Sequence, residues 1–215
     1  MAEEFDRRLP EEEPAPQAGQ TGETPAPEAE AAEKPSDDLF YWLNALTTAM
    51  VCLVIIFTFF GRLTRVDGES MTNTLQHNQL LLVWSLGYQP EQGDIVVLNK
   101  TTAQHLGGVA IVKRVIATGG QTVDIDYDTS SVYVDGVRLE EDYIKEPMLD
   151  ITSNEMYAQT HFEVPEGSIF VMGDNRNGSD DSRDMRIGTI DEGYVLGKAV
   201  FSLFPFSTLG PLDHG

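Results

Sequence analysis

The sequence predicts a mainly β fold, a folded antiparallel β-sheet or barrel, preceded by one N-terminal transmembrane helix and a disordered tail. Two observations carry the prediction. One is a run of 23 uncharged residues at positions 39–61, LFYWLNALTTAMVCLVIIFTFFG. The other is the succession of short β-branched segments that follows it, broken by Gly, Asp and Asn and lacking a helical period.

Residues 1–38 hold six of the eleven prolines, twelve Asp or Glu and three Lys or Arg, with few large apolar side chains. Such a segment cannot bury enough apolar surface to offset its ordering entropy, so a disordered acidic tail is expected. The run at 39–61 matches the ~20 apolar residues that cross a hydrocarbon core. Phe40, Tyr41 and Trp42 near one end, and Phe57, Phe59 and Phe60 towards the other, fit the aromatic belts of a spanning helix. A cleaved leader fits worse, because its charged region is short and basic. A buried helix of a soluble protein is rarely apolar on all faces over this length. Residues 62–215 then form the β-rich domain.

Within that domain the expected strands are GDIVVLNK (93–100), VAIVKRVIATGG (109–120), TVDIDYD (122–128), SVYVDGVRLE (131–140) and GSIFVMGD (167–174). Asp135-Gly136, between alternating residues, marks a type I′ hairpin.

The charge balance narrows the function. With 14 basic against 35 acidic residues the formal net charge is −21, and no basic patch is available for phosphates, which excludes nucleic acid as a partner. The single cysteine, Cys52, lies in the apolar run, so neither a disulfide framework nor a Cys–His metal site is expected. Near the membrane, Lys34 stands against Arg62 and Arg65, a count that places the carboxyl-terminal domain in the cytoplasm.

Chemistry concentrates in three stretches. DGESMTNTL (67–75) reads as a sharp turn presenting Ser70, without the second glycine of a nucleophile elbow. A serine needs a base within hydrogen-bond reach. None of His77, His105, His161 and His214 stands in a motif, although a triad assembled in three dimensions stays open. Lys113 alternates onto the face of Val109, Ile111 and Val115, where desolvation would favour its neutral form. It could equally snorkel into water, and periodicity leaves both readings open. GDNRNGSDDSR (173–183) is a tight loop. As a calcium loop it fails, since Arg176 falls at a ligand position and Ser179 where the turn glycine belongs. Its arginines and aspartates point to bracing ion pairs, in a site or simply in a surface turn.

Together these stretches resemble type I signal peptidases, membrane proteases that use a Ser-Lys dyad. Gly68-x-Ser70-Met71-x-x-Thr74-Leu75 is similar to the nucleophile box, Gly93–Val97 to a structural strand, and Lys113–Ile116 to the box of the general base. Gly173–Arg176 with Ser179, Asp181, Ser182 and Arg183 is similar to the last box, and Gly197–Ala199 to the terminal strand. The resemblance spans the apolar run and nearly all of 62–215.

The resemblance implies Ser70 as nucleophile, Lys113 as neutral general base, Ser179 as the group orienting the lysine, and Asp181 with Arg183 as a bracing pair. In some relatives a serine two residues before the nucleophile donates to the oxyanion. Gly68 stands there, so the oxyanion would rely on backbone at Ser70 and Gly68. Val66, Met71, Leu75, Ile111 and Val112 match positions lining the substrate pockets, with core packing an equal reading. The implied reaction cleaves signal peptides with small residues at −1 and −3 from secretory preproteins, without metal or cofactor. The implied protein is a monomer in the lipid bilayer with its catalytic domain on the extracytoplasmic face, against the arginine count. Asn73, Asn78-Gln79, Gly119 and Gln121 depart from the family pattern and put local loop rigidity in question. Two rival readings are a self-cleaving Ser-Lys protease of the same fold and a catalytically silent membrane-anchored binding module.

Overall fold

A computed structural model describes residues 35–59, 61–99 and 110–212, with side chains for 38–55, 61–99 and 110–212. Residues 1–34 of the expected acidic tail, His105 and His214 lie outside the described residues, as do Val109 and Lys100 at the ends of two expected strands. The chain divides into two compact units, residues 1–45 and 46–215. The first contributes the opening half of a helix, α1 (Pro35–Phe59); the second contains the rest of α1 and every described strand.

Helix α1 begins four residues before the expected span. Pro35 opens it, a position where the missing N–H has no helical partner to lose. Gly61, placed by the sequence reading at the end of the apolar run, is instead the first residue of a strand. Every described side chain from 38 to 55 is exposed. Length and composition suffice for α1 to cross a membrane.

The β-rich part forms two antiparallel sheets. The larger runs in the order β1 (Gly61–Arg65), β2 (Leu80–Trp84), β11 (Val195–Phe204), β3 (Ile95–Leu98), β4 (Ile111–Thr118), β9 (Ser168–Met172), β10 (Ile190–Asp191), with β12 (Gly210–Pro211) pairing β11. The smaller runs β7 (Val137–Arg138), β6 (Ser131–Val134), β5 (Thr122–Asp126), β8 (His161–Glu163). The β6–β7 hairpin turns on Asp135 and Gly136, both with positive φ (51° and 77°), as a type I′ turn requires.

Three apolar clusters fix these elements. Val66, Met71, Leu75, Leu81, Val83, Ile95, Val97, Val112 and Ala199 pack behind the turn after β1. Val96, Leu98, Val115, Ile169, Val171, Ile187 and Ile190 pack on the other face of β3 and β4. The third cluster joins Ile116, Phe170 and Met172 of the larger sheet to Val123, Val132, Val134 and Phe162 of the smaller one. Their burial is the main favourable term, at about 25 cal/mol per Å² of apolar surface.

Of the departures from the family pattern, Asn78, Gln79, Gly119 and Gln121 sit in defined local contacts. A Cβ at Gly119 would lie 2.9 Å from the Glu166 α-carbon, so the β4–β5 connection packs backbone on backbone. Gln121 Oε1 accepts from the Thr118 N–H at 2.9 Å, while its Nε2 donates to Asp135 at 3.0 Å. Asn78 takes a left-handed φ of 68°, which asparagine tolerates, and buried Gln79 donates to Ser202 Oγ at 2.7 Å.

Candidate active site

The turn presenting Ser70 hangs from two backbone bonds, Val66 N–H to the Gln79 carbonyl at 2.8 Å and Asn78 N–H to the Val66 carbonyl at 2.9 Å. Met71 and Leu75 follow the serine by one and five positions, so the turn inserts both into the core and fixes its own height. The turn itself needs Gly68, whose φ is +91°.

Lys113 reaches this turn from the middle of β4. Pairing with Val96 of β3 puts it on the face of Ile111 and Val115, as alternation predicts, and it is 3% exposed. It does not snorkel. Its Nζ donates to Ser70 Oγ at 2.7 Å. Burial lowers its pKa to about 8, against the opposing charges of Asp181 and Asp180. A hydroxyl and an amine that loses its proton near neutrality thus share one hydrogen bond.

The loop after β9 closes the site. Asn175 N–H donates to the Ser70 carbonyl at 3.0 Å, and Asn175 Nδ2 to the Glu69 carbonyl at 3.1 Å. Asp181 accepts from Arg183 at 2.8 and 2.9 Å and from the Gly173 N–H at 3.0 Å. Burial would raise the Asp181 carboxyl, but the adjacent Arg183 guanidinium outweighs it and holds the pKa below the ordinary carboxylate value. Asp181 and Arg183, the two residues the sequence pattern paired, are both buried and in direct contact.

Ser179 stands differently from the expectation. Its Oγ is buried and makes no hydrogen bond among the described residues, to Lys113 or any other group. It is packed over Gly173, where a Cβ would lie 2.3 Å from it. Gly68 departs too, because its N–H donates to His77 Nδ1 at 3.1 Å and is not free for an oxyanion. The Ser70 N–H makes no hydrogen bond among the described residues.

The five expected pocket residues do not form one surface. Val66, Met71, Leu75 and Val112 are core members of one cluster, whereas Ile111 packs half-buried on the opposite face of β4. Among the described histidines none bonds to Ser70. His77 takes the Gly68 N–H, and His161 pairs with Asp124 at 2.6 Å. Among the described residues, no group of His, Cys, Asp and Glu is placed to hold a metal ion.

Sequence reasoning gave no role to a second buried pair, Arg114 with Asp174, joined by two bonds of 2.9 Å. Thr74 Oγ1 donates to the same carboxylate, which ties the nucleophile turn to the loop after β9. The Arg114 guanidinium lies 3.8 Å from the Tyr143 ring centroid, and Arg176, near the same ring, pairs with Glu141 at 2.5 Å. The strand alternation that buries Val112 and Ile116 also buries Arg114, and this was the signal available in the sequence.

The chain is similar to known proteins over most of its length. The family described as "Signal peptidase, peptidase S26" matches residues 39–204. A probable signal peptidase I-1 of Synechocystis sp. is 35% identical, over 78% of this chain and 83% of that protein. A signal peptidase I of Bacillus licheniformis is 34% identical, over 86% of this chain and 98% of that protein. Signal peptidase I T of Bacillus subtilis is 32% identical over 83% and 92%.

Proposed function

The chain belongs to the signal peptidase family, peptidase S26, and from that premise we propose that Ser70 and Lys113 carry its serine endopeptidase reaction on the signal peptides of secretory preproteins. The observation that supports this most is the 2.7 Å contact from Lys113 Nζ to Ser70 Oγ, made by a buried amine whose pKa is lowered to about 8.

In the proposed reaction, Ser70 Oγ attacks the scissile carbonyl carbon as its proton passes to Lys113 Nζ. The developing oxyanion takes the Ser70 N–H. The lysine ammonium then protonates the leaving nitrogen as the C–N bond breaks, leaving an ester on Ser70. A water attacks that ester, its proton going to the same amine. The C–O bond breaks, and the proton returns to Ser70. Asp181 with Arg183 holds the loop that faces the dyad, and Ser179 meets the ammonium once the lysine is protonated.

Helix α1 serves as the single anchor, leaving the catalytic part on the extracytoplasmic face, where secreted chains emerge. A folded domain of this length outweighs the two arginines beside the helix in setting orientation. One copy suffices, because both members of the dyad come from one chain. The substrate carries small residues at −1 and −3 and adds as a β-strand; of the five residues read as lining its pockets, half-buried Ile111 is the one with surface to offer it.

The test is cleavage of a preprotein with an Ala-x-Ala site by the full-length chain in detergent. Ser70→Ala and Lys113→Ala are each expected to lose about three orders of magnitude or more in rate. Normal turnover by either variant refutes the assignment.

A further inference from the structure

We infer that Asn175 is a positioning residue for the oxyanion, because its side chain clamps the peptide unit whose N–H is free to meet it. The inference rests on the reading of Ser70 as nucleophile.

The Glu69 carbonyl and the Ser70 N–H belong to one planar peptide, so whatever fixes the oxygen also aims the N–H. Asn175 Nδ2 donates to that oxygen at 3.1 Å. The Asn175 N–H donates to the Ser70 carbonyl at 3.0 Å, in the next peptide plane. The two planes meet at the Ser70 α-carbon, so one residue holds both dihedrals of the nucleophile. A hydrogen bond at the carbonyl also polarises the amide and strengthens its N–H as a donor.

Two further observations single out this side chain. Asn175 precedes the short 3₁₀ turn Arg176–Gly178, where asparagine ordinarily caps with its own side chain, yet it makes no cap bond there. It is 6% exposed and turned to Glu69 instead. Its amide also occupies space that Gly178 leaves open, since a Cβ at Gly178 would lie 2.7 Å from Asn175 Nδ2. With the Gly68 N–H taken by His77, orientation of the Ser70 N–H falls to this clamp together with the Thr72 N–H, which donates to the same Glu69 carbonyl at 3.1 Å from within the turn.

The experiment uses the full-length chain in detergent with three readouts. They are kcat and KM on a preprotein, inhibition by a substrate-like peptide boronate, and affinity for the same peptide lacking boron. In the boronate adduct Ser70 Oγ bonds to boron, its proton passes to Lys113, and a boron-bound oxygen stands where the oxyanion would. Asn175→Ala is expected to lower kcat about 10- to 100-fold and to weaken the boronate by a similar factor, with KM and boron-free affinity unchanged. Gly178→Ala, which displaces the amide but keeps Asn175, should do the same. The double variant should be no worse than Asn175→Ala alone, the non-additivity expected of one shared device. Full kcat and boronate affinity in Asn175→Ala, additive losses, or a loss confined to boron-free affinity would each overturn the inference. Failure of the wild type to form the adduct on Ser70 removes the nucleophile reading and this inference together. A wild-type adduct with an unimpaired Asn175→Ala removes the inference alone.

Discussion

Lys113 Nζ meets Ser70 Oγ at 2.7 Å, while Asp181, the carboxylate with the largest influence on that lysine, bonds to Arg183 and the Gly173 N–H instead. The separation sets the chemistry. A carboxylate bonded directly to the amine would hold it protonated; one engaged elsewhere leaves burial as the dominant influence, and the pKa falls to about 8.

The neutral amine is the working base, so kcat/KM is expected to rise with pH to a plateau above about 8, falling about ten-fold per unit below it. Asp180 raises the lysine pKa, so Asp180→Asn should move this limb to lower pH. Rate profiles of the two proteins check the direction. Stability carries the same sign. The folded state binds fewer protons than the unfolded chain between about 8 and the ordinary 10.5, so stability rises with pH across that window. Lys113→Met should remove the rise, as urea midpoints at pH 8 and 10 would reveal.

Gly173 leaves no room for a side chain. A Cβ there would stand 2.3 Å from Ser179 Oγ and 2.5 Å from the Ser70 carbonyl oxygen. Gly173→Ala should destabilise the fold by about 1–3 kcal/mol. It should also lower kcat about 100-fold by displacing the nucleophile. Melting curves and single-turnover rates separate the two effects, and a wild-type rate would contradict the contact.

Ser179 permits a different dissection. Its buried hydroxyl has no hydrogen-bond partner among the described residues, so Ser179→Ala removes a desolvated polar group and should leave the melting temperature unchanged or raised. If the hydroxyl meets the lysine only when the amine is charged, kcat still falls about ten-fold, the scale of one positioned hydrogen bond. Thermal melts and turnover of the one variant test both statements.

Asp174 joins three segments through Arg114 and Thr74. Asp174→Ala takes the carboxylate from a buried guanidinium and should cost about 3–5 kcal/mol, read from urea unfolding. Replacing both Arg114 and Asp174 by apolar residues should cost less than the single change.

Much of this site was legible in the sequence because its chemistry is carried by residue type and spacing. Ser70, Lys113 and the Gly173–Arg183 loop stand out in one dimension; alternation named the face of Lys113 but left its burial open, which packing on both faces of β4 decides. The hairpin at Asp135-Gly136 was legible for the same local reason, the demand for positive φ. Strands β1 and β2 were missed, since β1 abuts the apolar run and β2, Leu-Leu-Leu-Val-Trp, shows no alternation. What sequence could not give is where hydrogen-bond donors end. The Gly68 N–H goes to His77, the Ser179 hydroxyl to no described partner, and the Asn175 amide to Glu69, each fixed by contacts distant along the chain.

The central claim is that Ser70 is acylated with Lys113 as its base. Acid quenching of the detergent-solubilised chain during turnover, followed by mass mapping of its peptides, tests it most directly. The account predicts an acyl group on Ser70 in the wild type and none in Lys113→Ala. Turnover with Ser70 unmodified, or acylation of Lys113→Ala at the wild-type rate, would contradict it.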